Sequence, residues 1–258
     1  MLRALRFLLP ALAALLATGH AATALDIGPR AIPLKIAGVP VEVVATAAVD
    51  VQTSGDRVAL RVVATGDLAS IQDNVLEIAR HLPLPSDACA RKGANLVVNS
   101  IDAASITPAG SSVVLSMSGR VTAWACAKVL GAKMKTKITS DTVRITAPVE
   151  LHQDGPQHVA LRLSGQATLE TGNPLTAEAA SAVVGDLNAR LTAALAKALD
   201  TASERAALPD LPGLSVTVEK ASFEQDQSKV LLRIGGKADM TSAAFNELLD
   251  LATRKASP

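Results

Sequence analysis

The sequence predicts an α+β fold: two tandem repeats of antiparallel sheet plus one long amphipathic helix, each in the order strand-strand-helix-strand-strand, with an extra C-terminal helix. Three observations predict it. Apolar and polar residues alternate at period two over several runs, the pattern of strands with one buried face. Two segments change to helical spacing. The same order of elements then occurs twice. The predicted division is 1–24 for a signal peptide, 25–130 and 131–240 for the two repeats, and 241–258 for the last helix.

In the first repeat, Val41, Val43, Ala45, Ala47, Val49 and Val51 share a face, opposed by Glu42, Thr46, Asp50 and Gln52. After the turn Thr53-Ser54-Gly55-Asp56, Val58, Leu60, Val62 and Ala64 continue the alternation, so the two runs read as a hairpin. A helix follows from Leu68 to Leu82, with Ile71, Val75, Ile78 and Leu82 on one stripe; Pro83 and Pro85 end it. Strands return at Leu96–Ile101 and from Val113 to Val121.

The second repeat begins with Val143 to Leu151, the turn Gln153-Asp154-Gly155-Pro156, and an alternating run from Val159 to Leu169. A helix from about Leu175 to Asp200 carries Val184, Leu187, Leu191 and Leu195 on one stripe, with Asp186 and Arg190 spaced to pair at i,i+4. Strands follow at Leu214–Val218 and Val230–Ala238. Short words recur in order: Val58-Ala59-Leu60-Arg61 as Val159-Ala160-Leu161-Arg162, and a Gly four positions after Leu115 and Leu232 (Gly119, Gly236). The boundary between repeats falls near Val129 to Lys137. The last helix, Ser242 to Lys255, has Phe245, Leu248, Leu249 and Ala252 on one face, and Asp250 spaced to pair with Arg254.

The N-terminus reads as a cleavable secretory signal. Arg3 and Arg6 form a positive start, Phe7 to Ala17 is apolar, and Ala22 and Ala24 suit an A-x-A cleavage site. The apolar run is too short to span a bilayer, which takes about 20 residues. Removal of 1–24 leaves 234 residues and moves the formal charge from +1 to −1. That balance argues against a nucleic-acid partner, which requires a strongly basic surface. The expected location is outside the cytoplasm, in a bacterial periplasm, with at most peripheral membrane contact.

Aromatic residues are scarce: no Tyr, one Trp and three Phe, although 49% of the chain is hydrophobic. The interior must therefore be aliphatic. Cys89 and Cys126 are the only cysteines, and in an oxidising compartment they are expected to form a disulfide. No nucleophile elbow, dinucleotide loop, P-loop or zinc-protease motif is present, so no catalytic residue, cofactor or metal is assigned. His152 and His158 flank a turn with Glu150 and Asp154 nearby, which reads as a solvated hairpin end rather than a metal site. His81 reads as a helix C-terminal cap. Lys133, Lys135 and Lys137 alternate on one strand face, solvated or set against lipid phosphates.

The two helix stripes and their flanking alternating strands resemble the tubular lipid-binding (TULIP) superfamily, bacterial envelope members included. The resemblance is architectural and covers most of the mature chain. It implies a curved sheet around a long helix, with acyl chains held between them. On that resemblance the lipid-lining candidates are Ile71, Val75, Ile78, Leu82, Val184, Leu187, Leu191 and Leu195. It implies a non-enzymatic, exported carrier of a lipid or other hydrophobic small molecule. A structural or adaptor protein of the envelope, with a packed core and a protein partner, is the alternative. An enzyme would show a polar cleft with perturbed titratable groups.

Overall fold

The computed structural model describes residues 23–129, 132–203 and 215–247. The predicted signal peptide lies almost wholly outside these residues, as does the last helix beyond 247. Ten strands run in chain order: β1 (Thr23–Ile36), β2 (Val39–Ser54), β3 (Arg57–Asp67), β4 (Gly93–Ala109), β5 (Ser112–Val129), β6 (Ala132–Gln153), β7 (Val159–Leu163), β8 (Thr168–Thr171), β9 (Ser215–Asp226) and β10 (Lys229–Thr241). The helices are α1 (Ala69–Asp73), α2 (Val75–Arg80) and α3 (Pro174–Ser203), and residues 242–247 are also helical.

This corrects the expected α+β tandem repeat: the chain is mostly antiparallel β-sheet, in two sheets that do not follow the two halves of the sequence. One sheet, here sheet A, has the order β1-β2-β3-β10-β9 and unites the beginning and end of the chain. The other, sheet B, has the order β4-β5-β6-β7, with β8 also paired to β6. Residues 132–137, expected at the boundary between repeats, belong to the β5–β6 ladder. Alternation declares which face of a strand is buried but not which strand lies beside it. The open side of the β2–β3 hairpin takes β10, with Leu60 opposite Ala238 and Ala64 opposite Ile234.

The expected long helix from Leu68 to Leu82 is two short ones. Asn74 ends α1 in a non-helical conformation, and its side-chain amide donates to the Ser70 carbonyl at 2.8 Å. Asn competes well with the backbone for hydrogen bonds, which makes it a natural break. The α3 helix has 30 residues but is weakly amphipathic, because much of its covered face is alanine. It starts with Pro174 after Asn173, whose side chain accepts from the Leu175 amide at 2.9 Å. It packs on sheet B, where Ala179, Leu187 and Leu191 meet Met117, Val121, Ile145 and Ala147, and its Leu195 reaches the seam between the sheets. Among the described residues, sheet A has no long amphipathic helix of its own.

β1 escapes the period-two reading. Leu25 and Ile27 share a face with Ile32, Leu34 and Ile36, but a register shift between Ile27 and Arg30 reverses the parity halfway. Pro29 and Pro33 obscure it further; on an edge strand, proline also discourages pairing with another chain. The expected single run Val159–Leu169 is β7 and β8, both on β6, separated by Ser164 to Ala167 opposite Pro148.

Gly119 and Gly236 occupy like places in the β4–β5 and β9–β10 hairpins. Each faces a partner strand whose register shifts. A Cβ on Gly119 would overlap the Ser100 carbonyl, and one on Gly236 would lie 2.7 Å from the Thr217 oxygen. Gly28 has open space around it. The Gly119→Ala change is expected to lower unfolding stability by about 3 kcal/mol through forced backbone displacement, while Gly28→Ala leaves it within about 0.5 kcal/mol. Urea unfolding of both variants checks the contrast.

Cys89 and Cys126 form the expected disulfide, with Cα atoms 5.7 Å apart, and tie the loop after α2 to β5. The bridge spans a separation of 37 residues, for about 4 kcal/mol of unfolded-state restriction. The double Cys→Ser variant is expected to lose about that much in chemical denaturation; an unchanged midpoint would show that the bridge adds nothing.

Candidate functional site

Among the described residues, the inner face of sheet A is covered by helices only at its ends. At one end of it, Val49, Val58, Leu60, Val62, Ala238 and Met240 are buried under Ala244 and Phe245 of the 242–247 helix. At the other, Val39 and Val41 meet Ile78, while Val43, Leu68 and Val230 join Val113, Val149 and Phe223 at the seam with sheet B.

Two rows of small and aliphatic residues join those clusters, Ala47 belonging to the first and Phe223 to the seam. Ile27, Ala47, Ala64, Ile234 and Ala221 lie in register across all five strands. The next row is Arg30, Ala45, Gly66, Leu232 and Phe223. Ala45, Ala64, Ala221, Ile27, Leu232 and Ile234 are only half-buried, although they face inward. Most inward positions on either side carry Val, Leu, Ile or Phe. Ala45, Ala64 and Ala221, with the buried Ala47 beside them, thus floor a shallow apolar trough. Gly66 is buried beneath Val43, whose Cγ1 would lie 2.9 Å from a Cβ there, so the glycine admits the valine side chain. Arg30 stands at the open edge, on the inner side because the β1 bulge re-aims it.

The candidates read from the helix stripes are divided among three places. Leu187, Leu191 and Leu82 pack on sheet B. Ile71 and Ile78 pack against the β1–β2 end of sheet A. Leu195 packs at the seam, as does Ile71. Val75 is buried and Val184 half-buried. The trough residues were missed because alanine at an inward strand position reads as ordinary core. The available signal was Ala45-x-Ala47 followed by Ala64-x-Gly66, small residues in consecutive strands where larger ones would fill the space.

The titratable groups do not converge. The Asp67 carboxyl, at the end of β3, accepts from the Ala69 amide at 2.8 Å and from Lys229 Nζ at 3.1 Å. The Ala69 hydrogen bond, then the Lys229 ammonium, hold it below the ordinary carboxylate range against an opposing effect of burial. Asp141, half-buried on sheet B, is lowered by the Thr171 hydroxyl and by the Thr142 and Asn173 amides. Both carboxylates order the start of a helix or turn. His81 caps α2, its Nδ1 2.9 Å from the Glu77 carbonyl oxygen. Glu150 near His152 is engaged by Arg162 at 2.7 Å. Among the described residues, no three His, Cys, Asp or Glu gather as a metal site. On the outer face of sheet A, a cavity of about 450 Å³ lies beside the β1 bulge, lined in part by Asp26, Thr46, Ala48, Thr65 and Arg233. Arg233 is paired with Glu224 at 3.4 Å.

Asp67 gives a pH signature. A carboxyl lowered on folding adds stability above its unfolded pKa, about 3.9, and that contribution is lost as the pH falls through the lower folded value. The Asp67→Asn variant is expected to be up to about 1 kcal/mol less stable at pH 7, because the amide keeps the Ala69 hydrogen bond but loses the charge that faces Lys229 and the start of α1. The difference narrows on acidification below the unfolded pKa. Thermal unfolding of both proteins from pH 7 to pH 2 measures it.

No protein-family model matches the chain, and no curated protein matches it. Among solved structures it is similar to a crystal structure of lipopolysaccharide binding protein, at 14% identity and a TM-score of 0.35. The match covers 67% of this chain and 43% of that one, so the chain spans less than half the length of this neighbour. A likeness at that level assigns neither family nor function.

Proposed function

We propose that this protein binds a lipid or other aliphatic small molecule, and that the acyl chain lies in the trough of sheet A. The observation that carries the reading is the half-buried floor of Ala45, Ala64, Ala221, Ile234 and Leu232 on an inward-facing sheet surface. Protein interiors are otherwise filled to crystal-like density, so an inward apolar surface left accessible invites an apolar occupant. The scarcity of aromatic residues agrees with this: flexible aliphatic walls fit a flexible chain. The proposal keeps the acyl-chain expectation of the tubular lipid-binding resemblance and moves it from the helix stripes to the sheet.

The disulfide suits an oxidising compartment. No helix among the described residues is long and apolar enough to cross a membrane. With the signal-like N-terminus, these support an exported carrier acting in the bacterial envelope, and in the periplasm in particular.

Native mass spectrometry with organic extraction, on protein purified from its own envelope, tests the reading. Lipid at a fixed stoichiometry is expected. Replacing Ala64 by Phe fills the floor and is expected to reduce uptake at least ten-fold while thermal stability is retained. Shortening a bound fatty acid by four methylenes is expected to weaken it by up to about two hundred-fold, at about 0.8 kcal/mol each. A ligand-free protein that takes up no added lipid, or an Ala64→Phe variant that binds as before, would contradict the proposal.

A further inference from the structure

The β5–β6 hairpin carries a concentration of charge that the rest of the chain does not. Between Asp102 and Asp141 there is no acidic residue, while Arg120, Lys128, Lys133, Lys135 and Lys137 fall in that stretch. The register sets Trp124 opposite Lys137, Cys126 opposite Lys135 and Lys128 opposite Lys133, so these positions share one face. Lys135 Nζ lies 5.5 Å from the Trp124 ring centroid, a cation–π contact. Lys128, Lys135 and Lys137 are exposed and form no ion pair with a described residue.

The same hairpin exposes apolar side chains. Met134 is 56% exposed, Ile138 38% and Leu175 52%, three of the four large apolar side chains exposed among the described residues. Met134 sits opposite Ala127 on the other face, and Ile138 is the extra residue of the bulge beside Trp124. Leu175 starts α3 two residues from Asn173, whose amide donates to Thr139 at 3.3 Å. The hairpin is also braced: β4 pairs it as far as Cys126, which is bridged to Cys89.

We infer that this end of sheet B docks on the surface of an anionic lipid bilayer. Lysine ammonium groups meet headgroup phosphates, while Met134 and Trp124 enter the interface, where Trp is favoured. Charge and apolar exposure together select this partner. Soluble phosphate would leave Met134 and Ile138 in water, and nucleic acid offers no apolar layer to receive them. The inference stands apart from the trough reading: docking without uptake would overturn that reading alone, and uptake without docking would overturn this one.

Trp124 is the only Trp, and there is no Tyr, so tryptophan emission reports this hairpin directly. The disulfide-bonded mature chain is titrated with phosphatidylglycerol/phosphatidylcholine vesicles and with phosphatidylcholine vesicles alone. Binding to the anionic vesicles is expected, with a blue shift and quenching by brominated acyl chains, and a steep loss as salt rises. Lys135→Gln and Lys137→Gln are each expected to weaken it about five-fold, and Met134→Ser to reduce the quenching. Equal binding to both vesicle types would overturn the inference, as would binding with an unchanged Trp spectrum or binding to heparin but not vesicles. Where a Gln variant melts early, the salt dependence of the unsubstituted protein decides by itself.

Discussion

The two sheets depend on a shared apolar seam. Val43 and Leu68, from the first part of sheet A, pack there with Phe223 and Val230 from its last strands, and with Val113 and Val149 of sheet B. The Gln72 side chain fastens its rim. Its amide nitrogen donates to the Ile106 and Ser228 carbonyls, each at 3.1 Å, and its oxygen accepts from the Val230 amide at 3.0 Å. One short helix thereby reaches both sheets. Buried polar groups need such partners, and a single amide serving three backbone groups fixes their relative placement. Without the seam, β9 and β10 would have no reason to return to β3, and sheet A would lose two of its five strands.

That return has a consequence for chemistry. Among the described residues, α3 packs on sheet B through Leu187 and Leu191 and reaches the seam through Leu195, while the inner face of sheet A is met by α1 and α2 at one end and by Phe245 at the other. The middle is left to small residues. Large side chains at Ala45, Ala64 or Ala221 would fill this space; alanine leaves it open. An apolar floor with two filled ends has a length and a direction, which is what distinguishes a place for a chain-like ligand from a general sticky surface.

Much of this was legible in the residues and some was not. Strand faces in β2, β3, β5, β6 and β10 follow from alternation, because a pleated strand puts every second side chain on the same side. The disulfide was legible from cysteine count and compartment. Strand partnership was not: β3 meets β10 across 162 positions of sequence in the Asp67–Lys229 pair, and no periodicity encodes that. β1 was hidden by a bulge that reverses its parity. The break at Asn74 was hidden because Ile71, Val75 and Ile78 keep helical spacing across it. The trough was hidden for a related reason: an inward alanine has the same hydropathy whether something packs on it or not, and only its exposure in the assembled sheet distinguishes the two.

The most direct measurement is nuclear magnetic resonance of the methyl-labelled protein with a deuterated-headgroup, protonated-chain fatty acid. The account predicts intermolecular contacts from the acyl methylenes to the methyl groups of Ala45, Ala64, Ala221 and Ile234, and none to Leu187 or Leu191. Contacts confined to Leu187 and Leu191, or a spectrum unchanged at saturating ligand, would contradict it.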